Sequence, residues 1–154
     1  MNYIFSAIFL YFFLGFLLYI FQRRIVFNKS GHPGAPKDYN LDNTEEVYIK
    51  TEDNLKLLSW YHKGNNSLPL LVYFHGNSFH IGDRAYRIQR YIEKNWSVLL
   101  VSWRGFGGNE GNPTEKNLYK DAEAVLKWIK NNTEFKFKEL VIYGESLGSV
   151  SYTH

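Results

Sequence analysis

No cysteine occurs among the 154 residues. Disulfide staples and thiolate metal sites are therefore excluded, while the redox compartment stays open, because a cysteine-free chain suits either environment. Runs of one charge are missing as well. The net charge is +3, the pI is near 9.0, and no block of five or six lysines or arginines occurs. A nucleic-acid partner is therefore not expected. The histidines (His32, His62, His75, His80 and His154) are dispersed, with no pair at helical ligand spacing, so neither a metal nor another cofactor is expected. A dinucleotide loop also fails on spacing. After Gly105 and Gly107 the third glycine of G-x-G-x-x-G would fall at Glu110, and the next helix starts several residues later. Repeats and low-complexity stretches are absent beyond the N-terminal segment. Hydrophobic residues at 45% and charged residues at 21% exclude general disorder, and the length suits one domain.

What is present begins with a long apolar run. Tyr3 to Phe21 reads YIFSAIFLYFFLGFLLYIF, interrupted only by Ser6 and Gly15 and free of charge. As a helix it spans about 28 Å, close to the thickness of a hydrocarbon core. Tyr3 and Tyr19 suit the two interfaces, and Arg23 and Arg24 stop the run. A cleaved signal peptide would need a basic start, a shorter run and a small-x-small site, and FQRRIVF supplies none. Residues 1–24 are therefore expected to form an uncleaved single-pass membrane anchor. The positive flank, Arg23, Arg24 and Lys29, lies C-terminal to the run, which places the globular part in the cytoplasm.

Residues 25–43 read as a linker, with two prolines and two glycines in NKSGHPGAPKDYNLDN. From residue 44 short apolar runs alternate with helical periods. Glu45–Lys50 and Leu55–His62 predict two strands around the turn Glu52-Asp53-Asn54. Pro69–Phe74, Ser97–Val101 and Leu140–Tyr143 predict strands buried on both faces. Ile81–Ile92 predicts a helix, and Leu118, Ala122, Val125, Leu126 and Ile129 form the apolar stripe of another. Its start is expected at Asn112-Pro113-Thr114-Glu115, with Asn112 as the cap, Pro113 in the first turn and Glu115 closing a capping box. The alternation argues for an α/β fold: a mostly parallel sheet, an antiparallel N-terminal hairpin, and helices on the faces.

Chemistry is carried by two motifs. Gly144-Glu145-Ser146-Leu147-Gly148 directly follows the strand LVIY, as a nucleophile elbow requires. Such a tight turn lifts the serine hydroxyl above the sheet at a helix N-terminus, so Ser146 is the candidate nucleophile and the amide of Leu147 the first oxyanion donor. The bland alternative is a Gly/Ser-rich turn. His75-Gly76-Asn77-Ser78 follows the strand PLLVYF and shapes a loop able to supply the second donor, the amide of Asn77 ahead of that of Ser78. His75 itself reads as a structural loop-former and not as the general base.

QRRIVF after a lone anchor, DNTEEVYIKTEDNLKLLSWY, LVYFHGNSFHIGDR, VLLVSWRGFGGNEGNPTE and LVIYGESLGS resemble, in that order, the α/β-hydrolase-domain or Bem46-like family of serine hydrolases. The resemblance covers roughly residues 20 to 149. It implies hydrolysis of ester or thioester bonds, often of lipids near a membrane, with Ser146 as nucleophile and Asn77 and Leu147 as oxyanion amides. The chain departs from the family pattern at Ser102, where the family usually has Asp. The family sheet has eight strands, of which residues 44–154 offer about five, so the domain reads as an N-terminal half, truncated after the elbow. The family's acid and histidine lie on loops beyond it. His154 is a poor stand-in, because a continuing helix would carry it about 12 Å from the hydroxyl. The chain alone is thus expected to be inactive. The alternatives are a non-catalytic membrane-anchored interaction protein, whose bare last strand accepts a partner chain that completes the sheet, or a decaying remnant that barely folds.

Overall fold

In the computed structural model, residues 2–29 and 31–152 are described; His154 lies outside them. The apolar run is one helix, α1 (Asn2–Val26). Its segment Tyr3–Gln22 is the one helix among the described residues long and apolar enough to cross a membrane, and none of its most apolar stretch is buried against the rest of the chain. A two-residue strand follows almost at once, β1 (Asn28–Lys29). The segment after it carries no periodic pattern, yet it packs. A 3₁₀ turn at Pro36–Tyr39 is closed by the Asp38 carboxylate, which accepts from the Ala35 amide at 2.9 Å. Tyr39 then meets Trp60 with ring centroids 5.4 Å apart, and Leu41 is buried.

β2 (Thr44–Lys50) and β3 (Lys56–His62) form the expected hairpin, with Asn54 left-handed in the turn at φ 65°. Then come β4 (Leu70–Phe74), β5 (Ser78–Phe79), a 3₁₀ turn at Ile81–Arg84 that leads into α2 (Ala85–Ile92), β6 (Ser97–Val101), α3 (Glu115–Asn132) and β7 (Leu140–Gly144). The main sheet has the order β2-β3-β6-β4-β7. β4 is parallel to both β6 and β7, and the β2–β3 hairpin joins antiparallel through β3 and β6. β1 pairs in parallel with β5, apart from the main sheet.

The period-two rule explains why the central strands read as unbroken apolar runs. Leu70, Val72 and Phe74 of β4 enter a cluster with Leu118, Val125 and Ile129 of α3. The intervening Leu71 and Tyr73 enter a second cluster with Ala85 and Ile88 of α2. α3 and α2 therefore cover opposite faces of the sheet.

Two expectations need correction. β7 is not buried on both faces: it is an edge strand paired only with β4, and Val141 and Tyr143 are 40% and 41% exposed. An apolar run reports hydrophobicity and does not distinguish an interior strand from an edge. The cap of α3 is Thr114 and not Asn112, with the Thr114 hydroxyl accepting from the Asn117 amide at 3.3 Å. Thr114 is extended at φ −135° and the helix begins only at Glu115, so Asn112 and Pro113 both precede the cap. Pro113 and Leu118, both buried, then occupy the two positions of a hydrophobic staple.

Candidate active site

The elbow begins where β7 ends. Glu145 donates its amide to the Phe74 carbonyl at 3.0 Å, which holds the turn against the end of β4. Ser146 then takes φ 50°, in the left-handed region, and the chain turns into a 3₁₀ segment, Ser146–Tyr152. A bend between an extended strand and a short helix is thus present at this serine. Over the described residues the segment that follows is 3₁₀. Gly148 donates to the Glu145 carbonyl at 2.8 Å and closes the turn. Both glycines of the motif are sterically required. A Cβ on Gly144 would lie 2.5 Å from the Gly148 carbonyl oxygen, and one on Gly148 would run into the Phe74 carbonyl. Ser146 is exposed, and Ser149 donates its hydroxyl to the Ser146 carbonyl at 2.7 Å.

The loop after β4 sits beside the elbow. A Cβ on Gly76 would come within 3.1 Å of the Glu145 carbonyl oxygen, so the two turns touch where a side chain would intervene. His75 is wholly buried. Its Nδ1 donates to the Gly76 carbonyl at 2.6 Å, and its Nε2 accepts from the Trp103 amide at 3.3 Å. Both ring nitrogens are thereby committed in the neutral tautomer, and burial pushes the ring down to about 4. The Trp103 indole donates to the His75 carbonyl at 2.9 Å and stacks on Phe74 with centroids 4.8 Å apart. His75 fastens the loop, as the sequence suggests.

The motif's second residue forms a network that sequence reasoning missed. The Glu145 carboxylate accepts from Arg84 Nε at 3.2 Å and Nη2 at 3.0 Å, and from the Tyr73 hydroxyl at 2.8 Å. Partial burial raises the Glu145 carboxyl, but the Arg84 and Tyr73 bonds outweigh it and hold it below the usual carboxylate range. Arg84 lies just before α2, so this ion pair ties the elbow to the segment that follows the 75–79 loop. No fixed spacing in the sequence links residues 73, 84 and 145.

A second missed cluster supports the turn at Trp103. Arg104 is buried and pairs with Asp121 of α3 at 2.7 Å and with Asp53 of the hairpin turn at 2.7 Å. Hydrogen bonds from Arg104 and Thr51 hold the Asp53 carboxyl well below its ordinary value. Asp121 is fully buried on α3 beside Ala122, a position that a polar face in the sequence would hide. Ser102 is buried, donating to the Phe106 carbonyl at 3.4 Å.

The remaining described histidines have other neighbours. His32 Nδ1 accepts from the Gly34 amide, His62 Nδ1 meets the Thr44 hydroxyl at 3.2 Å, and His80 lies 3.3 Å from Asp83. Among the described residues, no group of three or more His, Asp or Glu side chains is placed to hold a metal ion.

Comparison with known proteins places this geometry in context. No family model matches the chain. The chain is 31% identical to the protein Bem46 of Schizosaccharomyces pombe over 88% of its own length and 48% of the relative's. It is 28% identical to the α/β-hydrolase domain-containing protein WAV2 of Arabidopsis thaliana over 86% of the chain and 46% of the relative. An uncharacterised membrane protein of Saccharomyces cerevisiae shares 30% identity over 87% of the chain and 49% of the relative. Among solved structures, the Pyrococcus furiosus esterase Pf2001 superposes with a TM-score of 0.64 and 27% identity, covering 81% of this chain and 48% of the esterase. The chain spans about half the length of the curated relatives it matches.

Proposed function

The chain belongs to the Bem46-like α/β-hydrolase family, and from that premise we propose that it is the nucleophile-bearing part of a membrane-anchored serine hydrolase acting on ester or thioester bonds, lipid esters among them. One observation carries this reading. A non-glycine residue, Ser146, holds a left-handed conformation between a strand end and a 3₁₀ turn, flanked by two glycines that tolerate no side chain. Strained backbone of that kind costs of order 1–3 kcal/mol and persists where the strain serves a site.

In the proposed reaction the Ser146 oxygen attacks the substrate carbonyl carbon, and the hydroxyl proton passes to a histidine. The amides of Leu147 and Asn77 stabilise the oxyanion that forms. That histidine is not among the described ones, since His75 has both ring nitrogens committed and the others hold different partners. The base and its carboxylate partner are therefore assigned to a polypeptide segment other than the described residues. With these residues alone, turnover stays near background, because removing triad members leaves only residual catalysis.

In this reading α1 serves as the anchor, and the positive flank of Arg23, Arg24 and Lys29 supports a cytoplasmic domain. A second reading, a non-catalytic interaction protein, draws support from the exposed Val141 and Tyr143 on the edge strand β7. The test uses a fluorophosphonate probe and an activated ester, on the chain alone and on the chain joined to or mixed with a polypeptide supplying the missing acid and histidine. Labelling and turnover are expected only in the completed protein and are expected to vanish in Ser146→Ala. Turnover that survives Ser146→Ala overturns the nucleophile assignment, and an inactive completed protein favours the interaction reading.

A further inference from the structure

The membrane anchor and the loop beside the elbow are joined by backbone. Only Phe27 separates the end of α1 from β1, and β1 pairs in parallel with β5, Asn28 opposite Ser78 and Lys29 opposite Phe79. β5 begins at the residue after Asn77. Paired strands lie about 4.8 Å apart, so the 75–79 loop lies one strand spacing from a residue that leaves the anchor. Phe27 fixes this junction from below, its ring meeting the buried Phe106 edge-on at 6.3 Å.

The surface next to that junction has a composition that the fold does not explain. Phe79 is 50% exposed and holds φ 62°, a conformation that bulky residues rarely adopt. Tyr86, on the first turn of α2, is 61% exposed, and its hydroxyl accepts from Arg87 Nε at 2.9 Å, with the guanidinium 5.5 Å from the ring centroid. Arg90 lies one turn further along the Tyr86 face and is exposed, and the exposed Glu93 follows it. Aromatic rings with arginine beside them suit the headgroup layer, where an apolar body and a polar tip are both satisfied.

Resting on the anchored reading of α1 given above, we infer that the loop carrying Phe79 and the first turn of α2 dock on the bilayer surface, with the Phe79 and Tyr86 side chains set among the lipid headgroups. The loop beside the elbow is then held at the bilayer interface.

The absence of cysteine makes the test direct. Single variants Phe79→Cys, Tyr86→Cys and Glu123→Cys of the full chain carry an environment-sensitive fluorophore, Glu123 serving as the exposed control on α3, across the sheet from α2. Each is reconstituted in phosphatidylcholine vesicles containing a nitroxide-labelled lipid and checked for flotation with the vesicles. Docking predicts quenching at positions 79 and 86 at least about three-fold above that at 123. Flotation with equal or absent quenching at 79 and 86 overturns the docking and leaves the anchor intact. Failure to float overturns the anchor, and the docking with it.

Discussion

Ser146 occupies its left-handed conformation against a penalty of roughly 1–2 kcal/mol for a residue with a Cβ. Ser146→Gly is therefore expected to raise stability by about 1 kcal/mol, read as a higher Tm, while removing the proposed nucleophile. A Tm that falls would show that the turn is held in some other way. His75 gives a pH signature. Burial brings its ring to about 4 in the folded chain, from 6.5 when unfolded. As pH falls, the unfolded chain takes up the proton first, so stability is full above the unfolded value and is lost through the window down to the folded one. Between pH 7 and pH 5 the loss from this residue is about 2 kcal/mol, and urea midpoints at the two pH values measure it. His75→Gln should shrink that pH dependence while lowering stability throughout. Asp121→Ala strips Arg104 of its buried partner on α3 while the half-exposed Asp53 remains. Leaving a buried charge short of its partner costs about 3 kcal/mol or more, which a denaturant titration detects.

At the scale of elements, the start of α3 shows how two signals compete. Asn112, Pro113 and Glu115 together look like a complete capping set, yet Thr114 takes the cap because its extended backbone, φ −135°, aims the hydroxyl at the Asn117 amide. Thr114→Ala should cost about 1 kcal/mol, whereas Asn112→Ala should cost little, and thermal melts of the two variants separate them. β4 illustrates the opposite case. Its alternate residues feed two cores, one under α3 and one under α2, which is why its apolar run is unbroken. β7 carries the same kind of run and sits at the edge. The short strands β1 and β5 left no pattern at all, since two residues are too few to show a period.

At the scale of the whole molecule, β7 is an outer strand of the sheet formed by the described residues. Its outer backbone groups and the exposed Val141 and Tyr143 invite another strand. Val141→Lys is expected to reduce self-association in detergent solution, measured by sedimentation, with little change in melting temperature, because the side chain it replaces is 40% exposed. Unchanged association would show that the edge is not the contact surface.

The long apolar helix, the order of the longer strands and helices, and the turn at Gly144–Gly148 were legible from residue order alone, because each depends on neighbours within a few positions: length of an apolar run, period of burial, or the space a glycine leaves. Tertiary structure alone decided that Arg84 and Tyr73 grip Glu145, that Arg104 bridges Asp53 and Asp121, and that the chain leaving α1 pairs beside Asn77. Those contacts join residues 17 to 72 positions apart. Charge pairing and strand pairing act across space and leave no periodicity along the chain.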